Sequence, residues 1–304
     1  MRAHAARLSS SPYFLLCAAS LLWAINMVVG RAMRNDIPPV AMAFWRWTIA
    51  YALVLPFTWQ AVRSRWSDIV ASWKVLALIG FVGICCFNTM CYIGLTMTTA
   101  TNGTLFNSIV PVFIPPIAWV LLRERARSAQ IAGTIVSLAG VLVIVANGSL
   151  ETLLALSFNR GDVWLLLAMV LWSLYTVLLR FRPQGLAMLP FLSTVLLFGW
   201  PMLAVWYGID VAAGSRFPVT LPNVATLLYY GIFPSIVAFV CYNRGVSEVG
   251  PTRAGIFVHL VPVFGIVLST IALGEPPHGF HYVGMVLIFA GIALATRPIR
   301  PAPP

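Results

Sequence analysis

One arginine within an apolar stretch is the group in this chain whose chemistry most needs an explanation. Arg46 stands in FWRWTIAY, residues 44–51, as the one charge well inside a long apolar segment. Insertion scales put the cost of such a charge at about 2.5–3.5 kcal/mol, so we expect it to have a function. Ala43 and Ala50 on the same helical face leave room around it. Two interpretations stay open. Arg46 reaches the outer interface or bonds freed carbonyls, or it faces a cavity and attracts a carboxylate.

Polar and aromatic residues at helical spacing form stripes on six apolar segments, and each stripe defines one face of a helix. We predict that these residues, together with Arg46, line a central cavity that binds a small-molecule substrate. A plainer interpretation also stays open, because aromatic rings often only pack, and polar side chains bond between membrane helices for about 0.6 kcal/mol on average. The predicted cavity residues are Trp23, Asn26, Asn88, Tyr92, Thr104, Ser108, Trp172, Tyr175, Ser235, Tyr242 and His259.

Two prolines on the same faces are predicted to bend their helices. Pro111 and Pro262 each remove a backbone donor and free the carbonyl four residues earlier, which belongs to Asn107 and to Val258. Such carbonyls are tolerated where they face protein or water, and not where they face lipid.

The sequence predicts neither a catalytic centre, nor a metal site, nor a cofactor. All eight acidic residues fall in loops or at segment ends, and the five cysteines fall inside apolar segments. His259 is the one group of suitable pKa deep in a segment, and it is interpreted either as a neutral core residue or as a proton carrier. We therefore expect a solute to run down its own gradient with weak or no proton coupling. His278 and His281 lack a third ligand and are a weak metal signal.

The elements that must position these residues are long apolar segments. The chain is 60% hydrophobic and 9% charged, with a mean hydropathy of +0.91, whereas a soluble domain is about 25% charged. Because the segments are apolar all round and about twenty residues long, we predict an all-α integral membrane protein of ten transmembrane helices. They lie near residues 12–31, 38–58, 75–95, 101–122, 129–147, 162–180, 186–206, 223–243, 253–274 and 279–296.

The net charge of +11 is distributed as in a membrane protein. With a cytoplasmic N-terminus, the outer loops hold only Arg31, Arg34, Arg160 and Arg216. This is the positive-inside pattern, so both termini are predicted to be cytoplasmic and no nucleic-acid partner is expected. The cytoplasmic set is Arg2, Arg7, Arg63, Arg65, Lys74, Arg123, Arg125, Arg127, Arg180, Arg182, Arg244, Arg253, Arg297 and Arg300.

The second half of the chain repeats the first at an offset of about 150 residues. This predicts two five-helix domains, residues 1–148 and 149–304. Since five is odd, the second copy must cross the membrane in the opposite sense, as in inverted-repeat secondary transporters with a site near the midplane. The matches are LLWAINMVVGR with VLWSLYTVLLR, CY at 91–92 with CY at 241–242, VPVFIPPIAWVLLRE with VPVFGIVLSTIALGE, and Gly133 and Gly140 with Gly284 and Gly291.

These motifs, in this order, resemble a known family. WAINMVVGRAM, FWRWTIAYAL, the VPVF…LLRE segment and the glycine-spaced fifth segment resemble the EamA repeat of the ten-helix drug/metabolite transporter superfamily. The resemblance covers nearly the whole chain and implies a carrier of small organic metabolites, often an exporter. Among bacterial members the composition is most similar to YddG-type exporters of aromatic and other neutral amino acids. The seventh segment departs from the second, because it contains no arginine.

We therefore expect a secondary transporter in the bacterial inner membrane that exports neutral metabolites, above all aromatic or other apolar amino acids, by alternating access. The alternative within transport is a multidrug or general metabolite exporter. The non-transport alternative is an intramembrane enzyme or a scaffold. The expected partners are the small-molecule substrate and the lipid bilayer, with the protein as a monomer or a homodimer. The glycine-spaced fifth and tenth segments are assigned to scaffold packing or a dimer contact.

Overall fold

The computed structural model describes residues 11–33, 37–154, 157–273 and 276–297. Within these ranges all regular elements are helical. Glu275, whose match with Glu124 supported the repeat, and Arg2, Arg7, Arg34 and Arg300 lie outside the described residues.

Ten long helices in the described residues correspond to the ten predicted segments. Eight of the long helices are apolar and long enough to cross a membrane, and α1 and α10 contain shorter apolar stretches. Two short helices, Trp66–Ala71 and Leu150–Leu154, precede α3 and α6. The long helices are α1 Pro12–Met33, α2 Pro39–Ser64, α3 Trp73–Met97, α4 100–122, α5 Ser128–Val145, α6 Arg160–Phe181, α7 Met188–Ala212, α8 Leu221–Val249, α9 251–273 and α10 Gly279–Ala295.

Four of these helices depart from α-helical geometry near their centres. A π-helical segment, Phe81–Cys86, interrupts α3, and a second one, Phe233–Val237, interrupts α8. Helix α4 breaks after Asn107 and resumes at Val110, and α9 passes through a 3-10 segment at Ile256–His259. The predicted bends at Pro111 and Pro262 thus adjoin real breaks in the helices.

Two carbonyls at these breaks accept hydrogen bonds from side chains of neighbouring helices. The Ser173 hydroxyl of α6 donates to the Val110 carbonyl at 3.1 Å, and the Ser20 hydroxyl of α1 donates to the Phe257 carbonyl at 2.8 Å. The predicted carbonyls were those of Asn107 and Val258. The bonded ones lie one to three residues away, because the chain leaves α-helical geometry over several residues rather than at the proline alone.

The helices pack in pairs that map onto one another when α1–α5 are exchanged with α6–α10. Helix α3 packs on α6 as α8 packs on α1, α4 packs on α6 as α9 packs on α1, and α3 packs on α7 as α8 packs on α2. The remaining two major pairs, α2 with α7 and α5 with α10, map onto themselves. The bundle core lies where α1, α2, α3, α6 and α8 meet.

Glycines allow the close contact between α5 and α10. A Cβ atom on Gly133 would lie 2.5 Å from the Gly291 carbonyl oxygen, and one on Gly140 would lie 2.6 Å from that of Gly284. No larger side chain fits at these positions without separating the helices. The contact agrees with the expected scaffold role of this pair.

All five cysteines are free thiols, so no disulfide bond links the helices. Asp162, at the start of α6, is 2% exposed. Its carboxylate accepts from the Thr98 hydroxyl at 2.6 Å and from the Asn102 amide at 3.1 Å. It therefore ties α6 to the α3–α4 connection.

Candidate functional site

Arg46 lies in the middle of the bundle, with 3% of its surface exposed. Its Nε donates to Ser235 Oγ on α8 at 2.8 Å. Its Nη1 donates to Asn88 Oδ1 at 3.2 Å and to the Tyr92 hydroxyl, both on α3. The side chain therefore points into the protein and not to the outer interface. Four of the predicted cavity residues meet at this point.

The π-helical segments place two of these acceptors. In α3 the Asn88 amide donates to the Gly83 carbonyl five residues earlier at 3.1 Å. In α8 the Ser235 hydroxyl donates to the Tyr230 carbonyl five residues earlier at 2.7 Å. Each side chain thus bonds a carbonyl of its own helix and offers an oxygen to Arg46. The two irregular segments thus build the arginine site.

One amino group of Arg46 is left unused. Among the described residues, none accepts a hydrogen bond from Nη2, and no carboxylate forms an ion pair with the guanidinium. A buried cation without a counterion is unfavourable. The site can therefore accept an anionic oxygen from a ligand.

Aromatic rings surround the guanidinium. Its Cζ atom lies 5.2 Å from the ring centre of Trp47 and 5.8 Å from those of Tyr92 and Tyr230. These distances allow cation–π attraction, which partly compensates the buried charge. The Trp47 indole nitrogen is buried and has no hydrogen-bond partner among the described residues.

A cluster of aromatic side chains fills the centre of the bundle next to Arg46. The Trp172 ring stacks on Tyr175 and Tyr242, with ring centres 5.0 and 5.2 Å apart, and Trp23 meets Trp172 edge-on at 5.3 Å. Phe239 connects this cluster to the arginine site, because its ring centre lies 4.8 Å from that of Trp47 and 5.3 Å from that of Trp172. The predicted stripes do meet, and in this structure their aromatic rings occupy the meeting point.

The polar tips of the two central tyrosines are paired. Tyr175 donates to Asn243 Oδ1 at 3.0 Å, and the Tyr242 hydroxyl lies 3.0 Å from Thr176 Oγ1. Both partners lie on α6 and α8, so these bonds fix the cluster between the two helices.

Ser108 and His259 meet each other away from the arginine site. His259 is fully buried; its Nε2 lies 2.8 Å from the Ser108 carbonyl on α4, and its Nδ1 lies 2.7 Å from Ser137 Oγ on α5. A carbonyl can only accept, so Nε2 carries a proton, and Nδ1 accepts from Ser137 in the neutral ring. This arrangement favours a structural role. Thr104 is half-buried on α4, one turn before Ser108.

Three residues that the helical spacing did not single out belong to the same region: Trp47, Tyr230 and Phe239. Tyr230 is 1% exposed, and its hydroxyl donates to the Asn26 carbonyl on α1 at 3.1 Å. It lies five residues before Ser235, a spacing that shares a face only in a π-helix. An α-helical pattern therefore could not find it, and Trp47 directly follows Arg46 in the sequence and lies on no predicted stripe.

The end of the bundle at which α4 finishes has a polar cavity of about 380 Å³. We call it the Glu124 end. Glu124 accepts from Arg180 of α6 at 3.0 Å, which joins α4 to α6, whereas Arg244 and Glu248 pair within α8 at 2.8 Å. The cavity residues are Glu124, Arg125, Arg127, Gln130, Arg180, Glu248, Val249, Gly250, Pro251, Thr252 and Arg253.

Metal chemistry finds no support in the described part of the chain, which contains no group of three His, Cys, Asp or Glu side chains that could hold an ion. The His281 Nδ1 atom accepts a hydrogen bond from the His278 backbone at 2.8 Å and so serves the start of α10.

Residues 10–146 and 159–297 each match the EamA-like transporter family. The chain belongs to this family. The predicted membership in the EamA type of the drug/metabolite transporter superfamily is therefore confirmed.

Relatives that match most of the chain are also described as transporters or exporters. The chain is 27% identical over 297 residues to the "Uncharacterized transporter YyaM" of Bacillus subtilis, with 95% of this chain and 94% of the relative covered. It is 30% identical over 242 residues to a "Probable terminal-alkyne amino-acid exporter" of Streptantibioticus cattleyicolor, with 73% of each chain covered. A solved crystal structure shares the fold, with a TM-score of 0.75, 23% identity and coverage of 94% and 96%.

Family, fold and apolar helices together show that this EamA-type protein is a multi-pass membrane transporter of small molecules.

Proposed function

We propose that this transporter exports neutral amino acids, preferably aromatic or other large apolar ones, across the bacterial inner membrane. It works by alternating access between two inverted five-helix repeats, residues 1–148 and 149–304, with both termini in the cytoplasm. It is a carrier and not an enzyme. The observation that carries the proposal is Arg46, a buried cation with three fixed acceptors, one unused amino group and no counterion in the described chain.

The chemistry of the site favours a carboxylate with an apolar side chain. Nη2 of Arg46 can donate to a carboxylate oxygen in a charge-assisted bond, which is about twice as strong as a neutral one. Trp47 and Phe239 then lead from the guanidinium to the aromatic cluster around Trp172. Rings or long alkyl groups of a substrate would be accommodated by rearrangement of this cluster.

Sugar phosphates and nucleotide sugars fit this site poorly. Recognition of several phosphate charges needs several cations, and Arg46 is the one charged residue well inside an apolar segment. The amino-acid class also agrees with the printed description of the relative from Streptantibioticus cattleyicolor.

Three observations support the repeat and its motion. The family matches the chain twice, in residues 10–146 and 159–297. The helix pairs exchange between the two halves, and both halves have a π-helical segment at corresponding places in α3 and α8. A site between two such halves can be opened to either side by rocking one half against the other.

Transport is proposed to follow the solute gradient with weak or no proton coupling. The acidic residues of the described helices lie at their ends, and His259 has both ring nitrogens bonded within the protein. Export then needs only a higher concentration of substrate inside the cell.

Counterflow in proteoliposomes tests the proposal. Purified protein is reconstituted in vesicles loaded with phenylalanine, and the entry of labelled phenylalanine is followed with and without an imposed pH gradient. We expect accumulation above that of protein-free vesicles, equal under both conditions. If labelled phenylalanine, methionine and threonine all fail to enter the vesicles, the amino-acid proposal is refuted. The multidrug or general metabolite exporter is then the function to be tested.

A further inference from the structure

Asn26 on α1 carries an amide whose oxygen the fold does not use. Its Oδ1 atom is buried and accepts no hydrogen bond from any described residue. A buried acceptor without a donor is unfavourable. Such a group in a transporter core is a candidate contact for a substrate N–H donor.

Asn26 is connected through its neighbours to the aromatic cluster and to the arginine site. Trp23, three residues earlier on the same helical face, contacts Trp172 and Tyr242 with ring centres 5.3 and 5.1 Å away. The Asn26 carbonyl accepts from Tyr230, whose ring centre lies 5.8 Å from Arg46 Cζ. Asn26 is thus bonded through its backbone to a tyrosine of the arginine site and lies one helical turn from the aromatic cluster.

We propose that Asn26 Oδ1 binds the ammonium group of a zwitterionic substrate whose carboxylate is bound by Arg46. The inference rests on the function proposed above and restricts it to α-amino acids. A carboxylate without an amine would leave Oδ1 unpaired. An amine without a carboxylate would meet the positive charge of Arg46 with nothing to neutralise it. Because the amide is neutral, it accepts from the ammonium group without pairing with the nearby guanidinium as a carboxylate would.

Three compounds that share a phenyl ring distinguish the ammonium contact from the carboxylate contact. Phenylalanine has both charged groups, 3-phenylpropionate lacks the amine, and phenethylamine lacks the carboxylate. In proteoliposomes the wild-type protein should take up phenylalanine and be inhibited weakly by the other two. The variant Asn26→Leu, which keeps the approximate volume, should raise the KM for phenylalanine by about tenfold or more, as expected for a lost hydrogen bond to a charged group. Inhibition by 3-phenylpropionate should not change.

Two further variants keep the test sharp if Asn26→Leu folds poorly. Asn26→Gln retains a neutral amide acceptor and should retain the preference for phenylalanine over 3-phenylpropionate. Tyr230→Phe keeps its ring near Arg46 but releases the Asn26 backbone, and should weaken that preference by a smaller factor than Asn26→Leu does.

The outcomes distinguish this inference from the proposed function. A wild-type protein that transports no amino acid overturns both. Transport of phenylalanine that depends on Arg46 but is unchanged in Asn26→Leu overturns only the ammonium contact. Equal losses for phenylalanine and 3-phenylpropionate in Asn26→Leu also overturn it, because the amide would then serve the carboxylate or the fold.

Discussion

Arg46 connects two helices in the structure and carries the proposed substrate contact. Its Nε and Nη1 atoms hold α3 and α8 together through Asn88 and Ser235, and Nη2 remains for a ligand. Only a planar guanidinium can serve acceptors on two helices and a third partner in fixed directions, whereas an ammonium is a compact point charge on a flexible stem.

Arg46→Lys should therefore fold but transport poorly. The ammonium can reach one or two of the acceptors and cannot also present a donor to the substrate in the same geometry. We expect kcat/KM for phenylalanine to fall by about tenfold or more, the loss expected for a hydrogen bond to a charged group. Arg216→Lys, an exposed residue bonded to the Val211 and Ser215 carbonyls, is the matched control and should be unaffected. Full activity of a folded Arg46→Gln protein would exclude the carboxylate contact.

His259 is expected to matter for stability rather than for energy coupling. His259→Ala removes a fully buried ring and its contacts with Ser108 and Ser137, so the melting temperature in detergent should fall clearly. Phenylalanine uptake should remain equal with and without a pH gradient. If uptake by the wild-type protein responds to the pH gradient and uptake by the variant does not, His259 carries protons instead.

At the scale of the helices, the sequence predicts the positions of the helices better than their departures from α-helical geometry. Apolar length and the positions of Pro111 and Pro262 sufficed for the ten helices and the two breaks. The π-helical segments of α3 and α8 escaped prediction, because an α-helical spacing does not indicate where a helix widens by one residue. Tyr230 was missed for the same reason, and the α-helical spacing found Asn88, Tyr92 and Ser235.

The α5–α10 pair offers a prediction about packing alone. Gly133→Ala would place a methyl group 2.5 Å from a backbone oxygen of α10, so the helices must separate and the melting temperature should fall. Gly208→Ala, on α7, meets nothing within 4 Å and should keep or raise the melting temperature, because alanine is the better helix former by about 1 kcal/mol. Equal effects of the two substitutions would show that this close contact does not contribute to stability.

At the scale of the molecule, the ion pairs at the Glu124 end differ in what they connect. Arg180–Glu124 joins α6 of the second half to α4 of the first half, whereas Arg244–Glu248 lies within α8. Arg180 follows Tyr175 by five residues, so the cavity lies about 7.5 Å beyond the aromatic cluster along α6. In the proposed topology this end faces the cytoplasm, and we expect the pair to separate when substrate enters.

Breaking the pair between the halves should therefore shift the protein towards the state that is open to the cytoplasm. Exposed ion pairs contribute about 0–1 kcal/mol, so Glu124→Gln should change that population by no more than about fivefold. The reporter is Thr176→Cys in a background without the five native cysteines. Thr176 is fully buried beside Tyr242, so a maleimide should modify the cysteine faster once this end opens. Glu248→Gln breaks only the pair within α8 and should leave the rate unchanged, and exchanging the charges in Glu124→Arg with Arg180→Glu should restore it. If Glu124→Gln and Glu248→Gln act alike, the pair between the halves is not a gate, and the aromatic cluster alone closes the cytoplasmic side.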